Sequence, residues 1–549
     1  MATTLQSATQ TLTSRNPADN SVIAELPITT DAELHDIVLR AKSAQKDWQA
    51  EGIHKRLKIL KRFQQLLLAQ KEEIAQLISR EAGKPIAEAL TTEVLVVLDV
   101  TRFLLKHAFR ALRSERVPHG NLIMMAKRGH IHREPYGVIG IIAPWNYPLS
   151  TPASESLAAL AAGNAVIVKP SEFTPMIALK LERLLHDAGV PRDVFRAVIG
   201  EGPTGAVLID SPIDKLIFTG SVATGIRVGE AAARRLLPVV LELGGKDPML
   251  VFDDVNLDVA SSAAVWGAFM NAGQTCLSVE RCYVQRGIYD RFVQMCVEKT
   301  NRLKVGRGDD PSTEVGPMIH EKQLRIVESQ VEDARQKGAT ILTGGRRLTH
   351  LGPNFYAPTI ITTVNNYVGQ QWGHAEAERS GAEAPVHSAE TRKMSVLCDE
   401  TFGPVLPIIP FDTEDEAIAL ANNSEFGLAA SVWTNDRARA DRVAAKLQAG
   451  TVLINDVIVG FGISEAPHGG IKSSGIGRTH GLIGLEELVR YKYVDRDLLP
   501  FMKKVWWYGY GATFRSQMAA FSDMLFSTNP LKRLTGALKS TGALFRKQP

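Results

Sequence analysis

Cysteine is scarce in this chain of 549 residues. Four are present, Cys276, Cys282, Cys296 and Cys398, and no Cys-x-x-Cys pair occurs. That excludes a disulfide framework and favours a reducing compartment. Long apolar runs are missing too. No stretch of about 18 uncharged apolar residues exists to cross a bilayer as a helix, and residues 1–17 lack the apolar core of a secretory signal. Nor is there an excess of one charge: 63 Lys and Arg stand against 59 Asp and Glu, a net +4 that argues against a nucleic-acid binder. With 45% apolar and 22% charged residues, disorder, collagen and long coiled coil are excluded. The expectation is a cytoplasmic globular protein whose length points to more than one domain. Residues 491–549 depart from this balance, with ten Lys and Arg, three Asp and Glu, and eleven aromatics.

The first ~115 residues read as helical: apolar positions recur at three and four over 57–78, and Asp31 is placed to cap a helix through 48. Residues 121–133 (NLIMMAKRGHIHR) alternate as strands of a hairpin or edge. From 138 the texture changes. Short apolar strands at 138–143, 165–168, 194–199 and 215–218 alternate with helical segments at 154–162 and 175–188. A second alternation is expected from 238–243 (PVVLEL) through 249–252, 259–271, 281–284 and 451–455. Such alternation predicts doubly wound parallel sheets, which bind ligands where strand carboxyl ends meet helix starts. Residues 364–393 are polar and predict a long exposed loop.

Four segments carry chemistry. In Asn271-Ala272-Gly273-Gln274-Thr275-Cys276 a thiol follows a small-residue turn after an apolar helix. On an electropositive, partly exposed turn such a thiol ionises and attacks carbonyl carbon; the alternative is a buried structural cysteine, the reading given to Cys282 and Cys296. Glu242 ends an apolar strand before Leu243-Gly244-Gly245-Lys246. Partial burial there would raise its pKa toward that of a general base, unless it simply pairs with Lys246. Gly220-Ser221 and Gly225 follow the strand at 216–218 and open a helix, offering free backbone N–H groups to an anion. Their spacing is not the G-x-G-x-x-G of ordinary dinucleotide folds. Lys169 and Glu172 follow another strand, where Glu172 either chelates ribose hydroxyls or serves as a plain N-cap and first-turn acid.

Together with PWNYP at 144–148, Glu400-Thr401-Phe402-Gly403-Pro404 and Pro467-His468-Gly469-Gly470, these segments resemble the NAD(P)-dependent aldehyde dehydrogenase superfamily over roughly residues 14–495, in family order and at family-like spacing. The resemblance implies that Cys276 is the nucleophile, that Asn146 with the Cys276 N–H forms the oxyanion hole, and that Glu242 activates the hydrolytic water. It implies cofactor contacts at Trp145, Lys169, Glu172, Gly220, Ser221, Gly225, Glu400 and Phe402. It also implies an α/β architecture of two Rossmann-type, doubly wound domains with a β-strand oligomerisation arm. On that pattern the cofactor domain is 1–116 with 136–242, the catalytic domain 243–467, and the arm 117–135 with 468–499. The arm is expected to build a homodimer or homotetramer.

Two features depart from the family. About two dozen extra residues precede Glu400; His374 and His387 lie among them, but without nearby Cys they do not make a metal site, and no metal is expected. The second is the extension at 500–549, whose aromatic and basic residues resemble the longer tails of some fatty aldehyde dehydrogenases. It is expected either to touch a membrane interface or to pack on the body. Glu242 favours hydrolysis over acyl transfer to CoA. Residues 457–467 (VIVGFGISEAP), a tunnel wall by analogy, contain no basic residue, which argues against a carboxylated semialdehyde. The C-terminal signature resembles bacterial branches acting on apolar, long-chain or carotenoid-type aldehydes. Glu172 would repel a 2′-phosphate, so NAD is expected as cofactor, with NADP as the alternative. A silent relative acting as a binding or structural protein would be expected to lack Cys276, Asn146 or Glu242.

Overall fold

The computed structural model describes residues 10–120, 124–362, 394–504, 506–508 and 510–540. The loop expected at 364–393, with His374 and His387, lies outside them. The chain divides into two units, residues 1–113 with 134–490 and residues 114–133 with 491–549.

The first unit opens on an antiparallel hairpin, Thr11–Arg15 with Val22–Pro27, not on the helix expected there. Leu12 and Ser14 alternate inward, and the Asn16–Asp19 stretch turns the chain. The first helix, Asp31–Ala50, is capped by Thr30 and not by Asp31. The Thr30 hydroxyl accepts from Glu33 N–H and the Glu33 carboxylate accepts from Thr30 N–H, a reciprocal capping box. A single π-turn, Leu90–Val94, interrupts the helical run before Leu95–Leu112; such bulges concentrate at functional sites.

Among the described residues two larger sheets follow. The first has the order Gly475–Ile476, Val239–Glu242, Lys215–Thr219, Val138–Ile142, Ala165–Lys169, Phe195–Ala197. All its pairings are parallel except that of Gly475–Ile476. The chain therefore starts at a central strand, winds outward on one side, then returns to the other. Its switch point lies between Val138–Ile142 and Lys215–Thr219, where doubly wound sheets leave a crevice for ligands. The register sets Ile142 beside Phe218 and Thr219 beside Glu242, so the turns after these strands emerge at one edge.

The second sheet runs Thr340–Thr343, Thr359–Thr362, Val405–Phe411, Val279–Gln285, Asp247–Val251, Ala429–Trp433, Thr451–Ile454, with only the first strand antiparallel. One expectation is corrected here. The strand Val239–Glu242 belongs to the first sheet and does not begin the second alternation, because Gly244-Gly245 break the apolar run and Asp247–Val251 departs into the other sheet. Both sheets are covered on their faces by helices, which is why their strands are buried almost continuously.

In the second unit, Glu115–Val117, Lys127–Pro135 and Val489–Asp497 form a three-stranded sheet. The strand expected from 121 onward begins at Lys127, and 121–123 are outside the described residues. Two helices follow, Ala512–Phe526 and Pro530–Ser540. A side chain at Gly536 would strike the Ala520 carbonyl, so the two helices approach at glycine distance.

Candidate active site

Cys276 sits on a loop that the chain could not adopt without support. The helix Leu257–Phe269 ends in a tight turn, Met270–Gly273, where Asn271 and Ala272 (both φ +54°) and Gly273 (φ +71°) are successively left-handed. Non-glycine residues in that region cost on the order of 1 kcal/mol or more each and persist only when their surroundings fix them. Here they do. Glu88 accepts from Asn271 N–H at 3.0 Å, Asn271 Nδ2 donates to the Asn146 and Gln274 carbonyls, and Gln274 Oε1 accepts from Ile319 N–H. Any side chain at Gly273 would collide with the Gly403 carbonyl. Tyr147 Oη and Thr275 Oγ1 are 2.9 Å apart, and the Lys84 ammonium lies 3.8 Å over the Tyr147 ring.

The turn is not electropositive, as had been expected. Burial raises the Cys276 thiol, and the charges of Asp247, Glu242 and Glu400 raise it further, while the Leu277 N–H opposes them. Beyond burial, three carboxyl groups from different segments act on the thiol: Glu242 at the end of the strand Val239–Glu242, Asp247 at the start of Asp247–Val251, and Glu400 in the loop before Val405–Phe411. The thiol is nonetheless partly exposed, whereas Cys282 and Cys296 are fully buried. Asn146 is buried beside it, and one of its two amide hydrogens is directed to the Gln274 carbonyl at 3.1 Å.

Glu242 faces Cys276 from the other side. It does not pair with Lys246, whose ammonium instead binds Glu280 at 2.5 Å and Thr401 Oγ1 at 2.9 Å. Glu242 is 5% exposed, and neither carboxylate oxygen has a hydrogen-bond partner. Burial raises its pKa well above the ordinary carboxylate value, and the neighbouring Glu155 raises it further against Arg478. His468 Nε2 is 3.7 Å from Glu242 Oε2. A side chain at Gly469 (φ +148°) would stand 3.0 Å from Glu242 Oε1, so the residue beside the carboxylate is held small.

At the switch point, the Glu242 carbonyl accepts from Gly220 N–H at 3.0 Å, tying the Gly220-Ser221 turn in place. Ser221 caps the helix Val222–Ala233 through Thr224 N–H. Gly220 and Ser221, at the start of that helix, line the cavity, and a helix start of this kind is a seat for an anion. Gly225 lies deeper and packs against Leu243. Glu400 accepts from Gly245 N–H at 3.0 Å, and burial lifts its pKa to about 8. Phe402 is itself left-handed (φ +50°) and is held by Glu280, which accepts from both Thr401 and Phe402 N–H. The Phe402 ring meets Trp145 edge-on at 5.3 Å. Lys169 and Glu172 form a 3.8 Å pair beyond the strand Ala165–Lys169, and Thr174, not Glu172, is the N-cap of the helix that follows.

One cavity of about 820 Å³ gathers Cys276, Glu242, Asn146, Trp145, Gly220, Ser221, Glu400 and Phe402 on its lining. Lys169, Glu172 and Gly225 do not line it. Its far wall is apolar, built from Val96, Met270, Leu277, Leu428, Val459 and Phe461, with Leu95, Trp266 and Ile463 half exposed. Among the described residues no Lys or Arg lines it. The sequence reading overlooked Glu155, Gln323 and Thr219, which also line the cavity. Glu155 left a signal: it is the only charge in the helix Ser150–Ala162 (STPASESLAALAA), and a lone acid on a buried helix needs an explanation.

The fold is that of the aldehyde dehydrogenase class, and comparison with known proteins agrees. The family profile for aldehyde dehydrogenases matches residues 4–371 and 368–494. The chain is 36% identical over 530 residues to the 4,4'-diapolycopene aldehyde oxidase of a Methylomonas species, covering 95% of this chain and 92% of that one. It is equally 36% identical, over 84% of both chains, to a Mycolicibacterium smegmatis protein provisionally named succinate-semialdehyde dehydrogenase (NADP+). Among solved structures, an NAD+ complex of an aldehyde dehydrogenase from Bacillus cereus matches with TM-score 0.81 at 33% identity, over 89% of this chain and 94% of that one. An aldehyde dehydrogenase from Brucella melitensis biovar abortus matches with TM-score 0.80 at 36% identity, over the same shares. The chain belongs to the aldehyde dehydrogenase family and is an oxidoreductase.

Proposed function

We propose that the protein oxidises an apolar aldehyde, aliphatic or aromatic, to the carboxylate through Cys276, with NAD as cofactor and NADP as the second choice. The observation that carries the substrate class is the cavity itself: a thiol and a carboxyl face each other across a chamber whose far wall is apolar and carries no cation. A semialdehyde would bring a carboxylate into that chamber, and burying it without a cationic partner would cost several kcal/mol.

The residues at the switch point fit a dinucleotide. The helix start at Ser221 and the glycine at Gly220 suit a pyrophosphate; Glu172 and Lys169 suit an adenosine ribose, and Glu400 with Phe402 and Trp145 the nicotinamide end. When bound, the cofactor supplies the hydride acceptor. Cys276 loses its thiol proton to water as Sγ attacks the aldehyde carbon, and the carbonyl oxygen becomes an oxyanion, which the free Asn146 amide hydrogen and the Cys276 N–H stabilise. Loss of the C–H bond leaves an acyl thioester on Sγ. Glu242 then takes a proton from water as the oxygen adds to the thioester carbon, the C–S bond breaks, and the proton of the carboxylic acid returns to the Cys276 sulfur as the carboxylate leaves.

Two further features belong to this reading. The strand Val489–Asp497 is an edge strand with Tyr493 and Val494 exposed, and it is proposed as the surface that builds a homodimer or homotetramer; light scattering should return a multiple of the 60.0 kDa chain mass. On the helix Pro530–Ser540, Leu531, Leu534 and Leu538 share one face and are 74%, 66% and 71% exposed, beside Lys532 and Lys539. That amphipathic pattern supports peripheral contact with anionic lipid. Deleting 500–549 should abolish co-sedimentation with anionic liposomes; unchanged co-sedimentation would refute it.

The enzymatic test is reduced-nicotinamide formation with hexanal, decanal, benzaldehyde and succinate semialdehyde, with Cys276→Ala as control. Rates rising with chain length and absent in the variant support the reading. Activity confined to succinate semialdehyde would overturn the substrate class and leave the chemistry standing.

A further inference from the structure

Glu155 lies next to the reacting groups without a role in the chemistry described above. Its helix, Ser150–Ala162, is buried nearly throughout, and Glu155 is itself 6% exposed, with Oε2 lacking any hydrogen-bond partner. Both oxygens of Glu242 are in the same condition. Glu155 has the Thr219 hydroxyl as a neighbour and Glu242 has no hydrogen-bond partner, so two carboxyl groups with buried, unsatisfied oxygens line one cavity. Native structures do not leave buried carboxylates unpaired without compensation. The groups facing the pair offer little of it. Arg478 is the one cation that acts on Glu242, and its Nη1 is already given to the Gly470 and Gly477 carbonyls at 2.9 and 2.6 Å. His468 and His480 are held neutral by burial, at about 3 and about 4. The Cys276 thiol, Asp247 and Glu400 approach from the opposite wall and add no positive charge.

Glu155 also touches a second space. A chamber of about 30 Å³ has Glu155, Ser154, Arg478, Thr479, His480 and Glu487 among the polar part of a lining that is otherwise largely apolar. A water needs about 10–15 Å³ of such volume, so the chamber has room for two or three, and the unpartnered Ser154 hydroxyl and His480 Nε2 offer polar partners.

We propose that Glu155 and Glu242 work as one proton-holding pair, with Glu155 the positioning residue that receives the proton Glu242 draws from the attacking water. This rests on the reading of Glu242 as the hydrolytic base. The water O–H bond breaks as its oxygen bonds to the thioester carbon. The proton lands on Glu242 and crosses to Glu155, and Glu155 releases it to the water in the chamber. The pair returns to its starting charge, with one proton released and one carboxylate formed. While Glu155 is still protonated, Glu242 cannot unload, so hydrolysis is slow; once both are ionised, the sink is empty and the base is stronger. Burial lifts Glu155 to about 8, which places the second ionisation in a range that can be measured. The pair titrates as a unit, in two macroscopic steps.

The test needs neither cofactor nor the natural aldehyde. Acylating Cys276 with 4-nitrophenyl acetate gives a burst of nitrophenolate followed by a steady rate set by hydrolysis of the acetyl enzyme. Its pH profile in the intact protein should rise in two steps. Glu155→Gln should keep the first step, lose the second, and fall about tenfold below the parent at pH 9; Glu155→Asp should restore the second step. A second step that survives in Glu155→Gln, or a parent profile with a single step, would overturn the proposal. Glu242→Gln should remove both steps. If it leaves both in place, the base assignment fails before the pair is in question. Should Glu155→Gln not fold, infrared difference spectra of Glu155→Asp against the parent decide instead: a shifted protonated-carboxyl band that titrates near pH 8 supports the pair, and no shift refutes it.

Discussion

The two walls of the cavity are built on opposite plans. On the Cys276 side nearly every polar group is spoken for: three successive left-handed residues are pinned by Glu88, Asn146, Gln274 and the Gly403 backbone. On the Glu242 side the polar groups are left wanting, with both Glu242 oxygens, Glu155 Oε2 and His468 Nδ1 all buried and without hydrogen-bond partners. The lesson is a division of labour. The nucleophile is held by geometry, which must be fixed before the substrate arrives. The base is held by electrostatic discomfort, which lifts its pKa and makes it avid for a proton. Burial and three carboxyl groups around one thiol also disfavour a thiolate, so the charge moves onto the carbonyl oxygen as the S–C bond forms.

Substitutions should separate the walls by size of effect. Cys276→Ala removes the bond-forming atom and should lower aldehyde oxidation by about 10⁴-fold or more, as loss of a covalent nucleophile does; a residual rate within tenfold of the parent would break the comparison. Glu242→Gln should lower steady turnover by about 10²–10⁴-fold while the acylation burst remains visible. Asn146→Ala should cost about 10²–10³-fold in kcat, with a smaller change in KM, because its amide acts on the oxyanion and not on the bound aldehyde.

The smallest effect concerns stability. His468 has its pKa pushed down to about 3, by burial first and then by His480 and Arg478. Folding favours its neutral form, so its contribution is full above pH 6.5 and is lost as pH falls toward 3. At pH 5 that amounts to about 2 kcal/mol. His468→Phe should flatten the fall in Tm between pH 6.5 and 5, measured by calorimetry.

How much of this could be read from the sequence differs between the walls as well. Cys276, Glu242, Asn146, Gly220, Ser221, Glu400 and Phe402 each stand at a strand or helix end with a characteristic neighbourhood, and all line the one cavity. Alternating apolar strands likewise foretold the two parallel sheets. The electrostatics were not legible. Whether a turn is electropositive depends on Asp247 and Glu400, which lie 29 residues before and 124 after the thiol in the chain and meet it only in the fold. The opening hairpin was missed because strands of five and six residues leave too little periodicity to register beside long helices. Val239–Glu242 was assigned to the wrong sheet because a buried strand carries the same apolar run in either. Glu155 went unread because its meaning lies in its distance from Glu242 across the fold, although a lone charge in a helix of small apolar residues could have raised the question.

The central claim is that one wall bonds the acyl group and the other releases it. Mass spectrometry of Glu242→Gln after exposure to decanal and NAD tests this most directly. An acyl adduct should accumulate on Cys276 to about one per chain, with Cys282, Cys296 and the exposed Cys398 unmodified. Turnover at the parent rate with no adduct on Cys276 would contradict it.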